Sequence, residues 1–265
     1  MTKAITITSG KGGVGKTTTA INLALALGRL GKDVIVVDAN LTTPNLNIHL
    51  GAPRLPKTLH DVLRGTAPIT EAVYRNKAGL RVVPASLAVA ELDDLDLGRL
   101  PAALAQLEGL CDILLIDSGA GLGKEGMASL RCADEVIIVT NPELPAVSGA
   151  LKTIRVARDL GKTLAGVVLT KVVGDDLELG PREIETILEL PIIAAVPFDN
   201  NVRASIRLKY PVLYTHPSSP ASQEYFLLAT KLLGEKFDYG LSPGAWSRLL
   251  AKLGLRVHKT SATAT

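Results

Sequence analysis

Aromatic residues and cysteines are scarce in this 265-residue chain: aromatics make up 3% of it, and there are two cysteines. Cys111 and Cys132 stand in neither a CxxC pair nor any other metal-ligand spacing, so we interpret both as buried thiols in a reducing cytosol. Because 47% of the residues are hydrophobic, there is enough material for a core, which excludes a disulfide scaffold. A core of Ala, Val, Ile and Leu favours buried parallel strands covered by helices.

The sequence also lacks an apolar run of about 18 residues, and no charged-then-apolar leader opens it, so neither a membrane span nor secretion is indicated and we expect a cytoplasmic protein. The last acidic residue is Asp238, and the cations beyond it are Arg248, Lys252, Arg256 and Lys259. Without those four, the chain has 25 basic and 26 acidic residues. The near-neutral body gives no support to a nucleic-acid-binding surface, and we expect no specific nucleic acid partner.

Short runs rich in Ile, Val and Leu alternate with segments of helical period. The predicted strands are Ala4–Thr8, Asp33–Val37, Leu80–Pro84, Asp112–Ile116, Glu135–Thr140, Ala165–Thr170 and Ile192–Val196. The predicted helices are Thr17–Leu30, Arg99–Leu107, Pro145–Leu160, Pro181–Leu188 and Ser219–Glu235. This alternation predicts a doubly wound α/β fold, with a mainly parallel sheet of about seven or eight strands flanked by helices. We expect one domain over residues 1–238 and a linker at 239–244, which reads YGLSPG.

A glycine-rich loop follows the first predicted strand. Residues 10–17 read GKGGVGKT, which satisfies the phosphate-loop pattern G-x-x-x-x-G-K followed by Ser or Thr. Its backbone N–H groups and the dipole of the following helix would face an anion, Lys16 would contact the terminal phosphates, and the Thr17 hydroxyl would ligate Mg²⁺. A chance match in a turn is disfavoured because a strand precedes the loop and a helix follows it. The predicted site for ATP or ADP with Mg²⁺ comprises Gly10, Lys11, Gly12, Gly13, Val14, Gly15, Lys16, Thr17 and Thr18.

Lys11 is a second lysine that a simple phosphate loop does not require. Residues 11–18, KGGVGKTT, resemble the KGGxGK signature of the deviant Walker A ATPases of the MinD/ParA type. In that family the first lysine crosses a dimer interface and touches the partner's nucleotide. The resemblance therefore implies an ATP-dependent homodimer in which Lys11 supplies charge in trans, as an arginine finger does. The alternative is an exposed loop lysine without a role in trans.

Within this family the sequence is most similar to the MinD group, ATPases that position cell-division machinery, and to its archaeal members. Residues 117–121, DSGAG, resemble the family's DSPAG, residues 140–143 match its TNPE, and residues 197–199 resemble the loop that packs on adenine. Asp117, at the end of a buried strand, could hold a Mg²⁺-bound water, and it could also cap a helix. The metal ligands implied are Thr17, Asp38 and Asp117. The further nucleotide contacts implied are Asn141, Glu143, Lys171, Pro197 and Asp199.

Two departures from the family pattern bear on activity. Where the family has Asp-x-Asp, this chain has Asp38-Ala39-Asn40, and an asparagine can orient the attacking water but cannot accept its proton. We predict slow ATP hydrolysis by a catalytic set of Lys11, Lys16, Asp38 and Asn40. The alternatives are that Asp38 does more of the work, or that the asparagine is an engineered change that traps the ATP state. The second departure is Val172-Val173, near where relatives carry an asparagine that reads adenine.

The segment 245–259, AWSRLLAKLGLRVHK, has helical period. Its apolar face comprises Trp246, Leu249, Leu250, Leu253 and Val257, and its basic face Arg248, Lys252 and Arg256. An all-positive polar face and a tryptophan are typical of a helix that lies in an anionic membrane surface. We predict a membrane-targeting helix, as in MinD relatives, followed by a disordered tail at 260–265. The alternative is a last helix that docks on the core.

These features predict a MinD-like ATPase that dimerises with ATP, lies on the inner face of the cell membrane, and works with an unknown activating protein to position cell-division or other machinery. A DNA-partitioning ATPase of the ParA type is the first alternative, and the near-neutral body and amphipathic tail argue against it. A flagellar-placement relative, which has such a tail, is the second. Iron–sulfur members of the wider family would need cluster cysteines that are absent.

Overall fold

The computed structural model describes residues 1–52, 55–88 and 95–234. Within these ranges eight strands form one sheet in the order β3-β4-β2-β5-β1-β6-β7-β8. The strands are β1 (Lys3–Thr8), β2 (Val34–Ala39), β3 (Tyr74–Arg75), β4 (Arg81–Val83), β5 (Ile113–Ser118), β6 (Glu135–Thr140), β7 (Thr163–Val172) and β8 (Ile192–Pro197). Every described pair is parallel except β3 with β4. The predicted doubly wound, mainly parallel fold is confirmed.

Helices cover both faces of the sheet in the described part of the chain. They are α1 (Lys16–Arg29), α2 (Leu46–Leu50), α3 (Leu59–Arg64), α4 (Leu100–Ala105), α5 (Lys124–Arg131), α6 (Leu144–Asp159), α7 (Pro181–Leu188), α8 (Asn200–Leu208), α9 (Val212–Thr215) and α10 (Pro220–Leu232). Side chains alternate across the strands, so Val36 of β2 belongs to the apolar cluster that includes α1 and α10, while its neighbour Val37 belongs to the cluster on the other face that includes α3 and α4. A third cluster lies between β6, β7 and helices α6 and α7. The central strands β2, β5 and β6 are buried on both faces, which explains their continuous apolar runs.

Local chemistry sets where several helices begin. α6, α7 and α10 have proline in their first turn, where a missing N–H costs nothing. Ser219 caps α10 by accepting a hydrogen bond from the backbone N–H of Ser222, and Asp199 caps α8 by accepting one from that of Asn201 at 2.8 Å. The cap of α5 is Gly123. The interpretation of Asp117 as a helix cap is therefore wrong, because this residue lies within β5.

All seven predicted strands are present, with ends shifted by up to two residues. β3, the eighth strand, was not predicted because two residues are too short to show a period. Neither the proposed boundary at 238 nor the linker at 239–244 lies in the described residues. The proposed membrane helix at 245–259 and the tail at 260–265 lie outside them as well. Among the described helices, none is long and apolar enough to cross a membrane.

Candidate nucleotide-binding site

The candidate site lies where the central strands end. β1 runs between β5 and β6, and the loops after β1, β2, β5, β6 and β7 all leave the sheet at the same edge because these strands are parallel. Asp38 of β2 and Asp117 of β5 are paired across the two strands. The sheet order thus brings together chemical groups that are about 80 residues apart in sequence.

The glycine-rich loop between β1 and α1 depends on glycine at three positions. Gly13 and Gly15 have φ values of 76° and 98°, a region that residues with a Cβ rarely adopt. Gly10 is required for space, since a Cβ there would lie 2.0 Å from the carbonyl carbon of Gly149 in α6. Gly15 precedes the first turn of α1, so the loop leads directly into the positive end of that helix.

Lys16 is 8% exposed at the start of α1. Its Nζ donates a hydrogen bond to Ser9 Oγ at 3.0 Å, and Ser9 was not singled out from the sequence. Burial lowers the pKa of Lys16, and the nearby charge of Asp117 partly opposes that shift. A largely desolvated ammonium group next to a glycine-rich loop is suited to an anionic ligand, which would replace its lost hydration.

Asp117 and Asp38 are both fully buried. Thr17 Oγ1 donates to Asp117 Oδ2 at 2.6 Å, while Asp117 Oδ1 accepts no hydrogen bond from the described residues. Burial raises the pKa of Asp117 to about 6, although Thr17 and Lys16 act in the opposite direction. Burial, and then the charge of Asp117, raise the pKa of Asp38 well above its usual value. The positive charge of Lys16 therefore compensates the two buried carboxyl groups only in part.

The donor set fits a Mg²⁺ ion that is shared with a nucleotide. Thr17 offers a hydroxyl, Asp117 offers a carboxylate with one buried oxygen that no described residue pairs, and Asp38 lies on the neighbouring strand. Mg²⁺ in phosphate sites is held by one or two carboxylates together with phosphate oxygens and waters. The described residues contain no cluster of three or more His, Cys, Asp or Glu that could hold a metal ion, so the phosphates would have to complete the site.

Both ends of the Asn40 side chain are engaged within its own loop. Asn40 Nδ2 donates to the carbonyl oxygen of Thr43, and Asn40 Oδ1 accepts from Thr43 Oγ1 at 3.1 Å. The backbone of the same loop holds Asp38, whose Oδ1 accepts from the Asn40 N–H at 3.2 Å and whose Oδ2 accepts from the Leu46 N–H at 3.0 Å. Asn40 nevertheless lines the candidate cavity.

Lys11, unlike the buried Lys16, is exposed. Its side chain is 52% exposed, and its Nζ lies 3.8 Å from Glu143 Oε2, which belongs to a side chain that is 61% exposed. An ion pair this exposed contributes little to stability. Lys11 is therefore free to leave Glu143 at small cost, as contact with a second subunit would require.

A polar group behind the loop, missed by the sequence interpretation, comes from β7. Thr170 Oγ1 donates to the carbonyl oxygen of Val14, and Asn141 Nδ2 donates to Thr170 O and Oγ1, both at 2.9 Å. Lys171 has a φ of 58°, and its Nζ donates to Gly13 O at 2.8 Å. Asn141 and Lys171 thus brace the loop in this structure. The sequence signal that could have identified Thr170 is its place near the end of β7, next to the strand that Asn141 follows.

A cavity of about 570 Å³ opens beside the loop. Of the residues predicted for the site, it is lined by Gly12, Gly13, Gly15, Lys16, Thr17, Thr18, Asn40, Lys171, Pro197 and Asp199. The others lie around it rather than in its wall: Gly10, Lys11, Val14, Asp38, Asp117, Asn141 and Glu143. Phe198, which is 50% exposed, joins Pro197 in the wall. The cavity thus has a polar end at the loop and an apolar surface at residues 197–198, which suits a nucleotide.

Fold and site together define a P-loop nucleotide-binding protein with a second, exposed lysine in its loop. A family model described as the CobQ/CobB/MinD/ParA nucleotide binding domain matches residues 5–212. The chain belongs to this family, whose MinD and ParA members are ATPases. The predicted family membership is confirmed.

Curated relatives match over most of their length. An uncharacterized ATP-binding protein of Methanocaldococcus jannaschii is 41% identical over 90% of this chain and 90% of its own. The septum site-determining protein MinD of Synechocystis is 31% identical, covering 97% of this chain and 99% of its own. The antiactivator FleN of Pseudomonas aeruginosa is also 31% identical, covering 89% and 86%.

Solved structures agree with this assignment. The septum site-determining protein MinD of Pyrococcus horikoshii, complexed with Mg-ADP, has a TM-score of 0.84 at 33% identity and covers 88% of this chain and 96% of that one. A MinC:MinD cell division protein complex from Aquifex aeolicus has a TM-score of 0.81 at 30% identity, with 90% and 98% covered. The family thus includes proteins that bind Mg-ADP and proteins that assemble with a partner.

Proposed function

We propose that this chain is a MinD-like ATPase that dimerises when it binds ATP and acts as a spatial switch on a membrane. The observation that carries the proposal is the different environment of the two lysines in one loop. Lys16 is buried beside the acidic pair, and Lys11 stands outside the cavity in a weak ion pair. One lysine is suited to hold phosphate in its own subunit and the other to reach a second one.

We assign the binding roles as follows. The backbone of residues 10–17 and Lys16 hold the phosphates, Thr17, Asp117 and Asp38 hold Mg²⁺ directly or through water, and residues 197–199 contact the base. When bound, Mg²⁺ neutralises charge on the phosphate groups. The orphaned Oδ1 of Asp117 and the desolvated ammonium of Lys16 support this assignment, because each lacks the partner that a Mg-nucleotide would supply. Asn141, Lys171 and Glu143 act from behind and beside the loop.

We propose that hydrolysis is slow. Asn40 stands where family members carry an aspartate, and it can orient a water without taking its proton. Asp38, two residues before Asn40, is near the end of β2, but its two oxygens already accept hydrogen bonds from the N–H groups of Asn40 and Leu46. Without an external activator, proton removal from the attacking water has no free base among these residues.

The membrane and partner roles rest on the sequence pattern and on the relatives. The segment 245–259 would attach a dimer to the membrane through two helices, and this avidity would raise the affinity for the membrane above that of a monomer. The relatives include septum site-determining proteins and one complexed with MinC, which supports an activating or effector protein as a partner. An antiactivator role, named for the Pseudomonas aeruginosa relative at equal identity to the Synechocystis MinD, is the second candidate.

The test compares the intact chain with MgATP and with MgADP. We expect light scattering after gel filtration to give twice the monomer mass with MgATP and the monomer mass with MgADP. The chain should co-sediment with anionic vesicles only under the conditions in which it is a dimer. Lys16→Ala serves as the matched control for nucleotide dependence. A chain that sediments equally with either nucleotide, or that stays monomeric with MgATP, would contradict the switch.

A further inference from the structure

Glu125 joins two loops that meet at the phosphate end of the cavity. It lies in the first turn of α5, after the DSGAG loop, and its Oε1 accepts two hydrogen bonds from Thr42. One comes from the Thr42 backbone N–H at 2.8 Å and the other from Thr42 Oγ1 at 2.5 Å. Thr42 belongs to the loop after β2, so the contact spans 83 residues of sequence. We call this pair of hydrogen bonds the Glu125 bridge.

The space for Glu125 is created by a glycine. A Cβ at position 119 would lie 2.8 Å from Glu125 Oε2 and 3.1 Å from Glu125 Cβ. Residue 119 is also where DSGAG departs from the family's DSPAG. Gly119 has no positive φ that would require glycine, so room for the Glu125 side chain is the physical reason that the structure offers for this departure. The two features form one structural unit.

The Glu125 bridge leads directly to Asn40. Thr42 precedes Thr43, and Thr43 holds both ends of the Asn40 amide. Asn40, Thr43 and Ala120 line the nucleotide cavity and also the neighbouring groove that Glu125 lines. A shift of Thr42 relative to α5 would therefore move Asn40 relative to the loop that follows Asp117. The bridge connects the two segments that border the phosphate end.

We propose that Glu125 is a positioning residue for hydrolysis, which sets the place of Asn40 through Thr42 and Thr43. This rests on the proposed ATPase function. A carboxylate that accepts two hydrogen bonds is a strong anchor because charge-assisted hydrogen bonds are stronger than neutral ones. A small displacement of a water-orienting group lowers the rate of the chemical step without loss of substrate binding.

The first experiment tests the contact itself, independently of activity. Hydrogen exchange over residues 40–46 is measured for the intact chain, Glu125→Ala and Glu125→Gln. We expect faster exchange at the Thr42 amide in Glu125→Ala, by about 10-fold or more, because local opening exposes the freed N–H. Glu125→Gln keeps an acceptor oxygen and should remain protected. Unchanged exchange in Glu125→Ala would overturn the bridge.

The second experiment separates positioning from proton transfer. In single-turnover hydrolysis, Glu125→Ala and Thr42→Val should each lower the rate by about 10-fold or more while the ATP Kd changes less than about threefold. Glu125→Gln should recover most of the rate, since a glutamine can hold Thr42 but cannot act as a base. A loss in Glu125→Gln equal to that in Glu125→Ala would overturn positioning and make Glu125 a base.

The controls use a distant carboxylate and the glycine. Glu185 of α7 accepts a hydrogen bond from the Ile192 N–H at 2.8 Å on the far edge of the sheet, so Glu185→Ala should leave the rate unchanged. Gly119→Ala should lower the rate in the intact chain and add little in the Glu125→Ala background. If the effects of Gly119→Ala and Glu125→Ala on the rate are fully additive, the link between the two residues is overturned. A wild-type chain that hydrolyses no ATP would refute the proposed function, whereas the exchange result would still decide the bridge.

Discussion

At the scale of single residues, the buried pair Asp38 and Asp117 makes stability depend on pH. An unfolded aspartate has a pKa of about 3.9, whereas burial raises the pKa of Asp117 to about 6 and raises that of Asp38 well above its usual value. At pH values between the unfolded pKa and the raised folded pKa values, the folded chain binds more protons than the unfolded one. The contribution of the pair to the free energy of unfolding therefore falls as pH rises.

The prediction is that the Tm of the nucleotide-free chain decreases from pH 5 to pH 7 at constant ionic strength. MgADP should reduce or reverse that slope, because bound Mg²⁺ favours the ionised carboxylates. Differential scanning calorimetry measures both curves. Asp117→Asn is the control, since it removes one acid and relieves the charge on Asp38, and it should flatten the slope. An identical slope in Asp117→Asn would show that other groups set the pH dependence.

The two lysines of the loop should give different losses. Lys16→Ala removes the buried ammonium and is expected to weaken ATP binding by about 10- to 100-fold, the value of a hydrogen bond to a charged group. Lys11→Ala should leave affinity nearly intact and abolish ATP-dependent dimerisation and hydrolysis. Isothermal titration and light scattering measure the two effects. Equal loss of affinity in both variants would contradict the role of Lys11 in trans.

Asn40→Asp tests the proposed cause of slow hydrolysis. It places a carboxylate where the family has one, and it removes the hydrogen bond that Asn40 Nδ2 donates to Thr43 O, which frees the side chain toward the cavity. We expect single-turnover hydrolysis to rise by about 100-fold, which corresponds to about 2.7 kcal/mol. Asn40→Ala should be no faster than the wild type. A rate that is unchanged in Asn40→Asp would transfer the role to Asp38.

At the scale of elements, the position of the phosphate loop depends on its contact with α6. Gly10→Ala would put a Cβ 2.0 Å from the Gly149 carbonyl carbon, which is backbone and cannot rotate away. We expect a loss of about 1–3 kcal/mol in the free energy of unfolding, as for other overpacked sites. Chemical denaturation measures it. The matched control is Gly28→Ala on the exposed side of α1, where no atom of the described residues lies within 4 Å of the new Cβ. Alanine there should stabilise the helix by up to about 1 kcal/mol. Equal effects would contradict the packing argument.

Most of the longer elements were predictable from the regularity of their apolar pattern. The long strands and the helices α1, α6, α7 and α10 follow from apolar period, and α7 was predicted to the residue. α5 was missed because Gly126 interrupts its pattern, and that glycine is needed because a Cβ there would lie 2.2 Å from Gly121 O. The short helices α2, α3 and α9 have too few turns to show a period. α8 was also not predicted, although it is one residue longer than α7.

At the scale of the whole molecule, the proposed membrane helix should be separable from the ATPase. A chain cut after Pro243 should fold, bind ATP and dimerise, because every proposed phosphate contact lies upstream, and it should lose binding to anionic vesicles. Leu250→Glu in the full chain should do the same, while Leu250→Phe should not. Attachment should also weaken with salt, as charges are screened over about 8 Å at physiological ionic strength. A lower Tm on truncation with unchanged vesicle binding would favour the docked-helix alternative.

The sequence by itself determined the fold class, the phosphate loop and the family. These depend on local information: apolar runs make buried strands, and glycines with a lysine and a threonine at set spacing make an anion site wherever strand and helix flank them. The resemblance to the family also pointed to Asp38 and Asp117 as metal ligands, and each of them follows an apolar run.

Only the tertiary structure decided how these groups are held. The braces from Thr170 and Lys171 to the loop, the contact of Gly10 with Gly149, and the bridge from Glu125 to Thr42 join residues that are 83 to 158 positions apart. No local period encodes such pairs, because they arise from the order in which strands assemble in the sheet. The same assembly leaves Asp117 Oδ1 without a hydrogen-bond partner among the described residues, and this follows from sheet order and burial rather than from the aspartate alone.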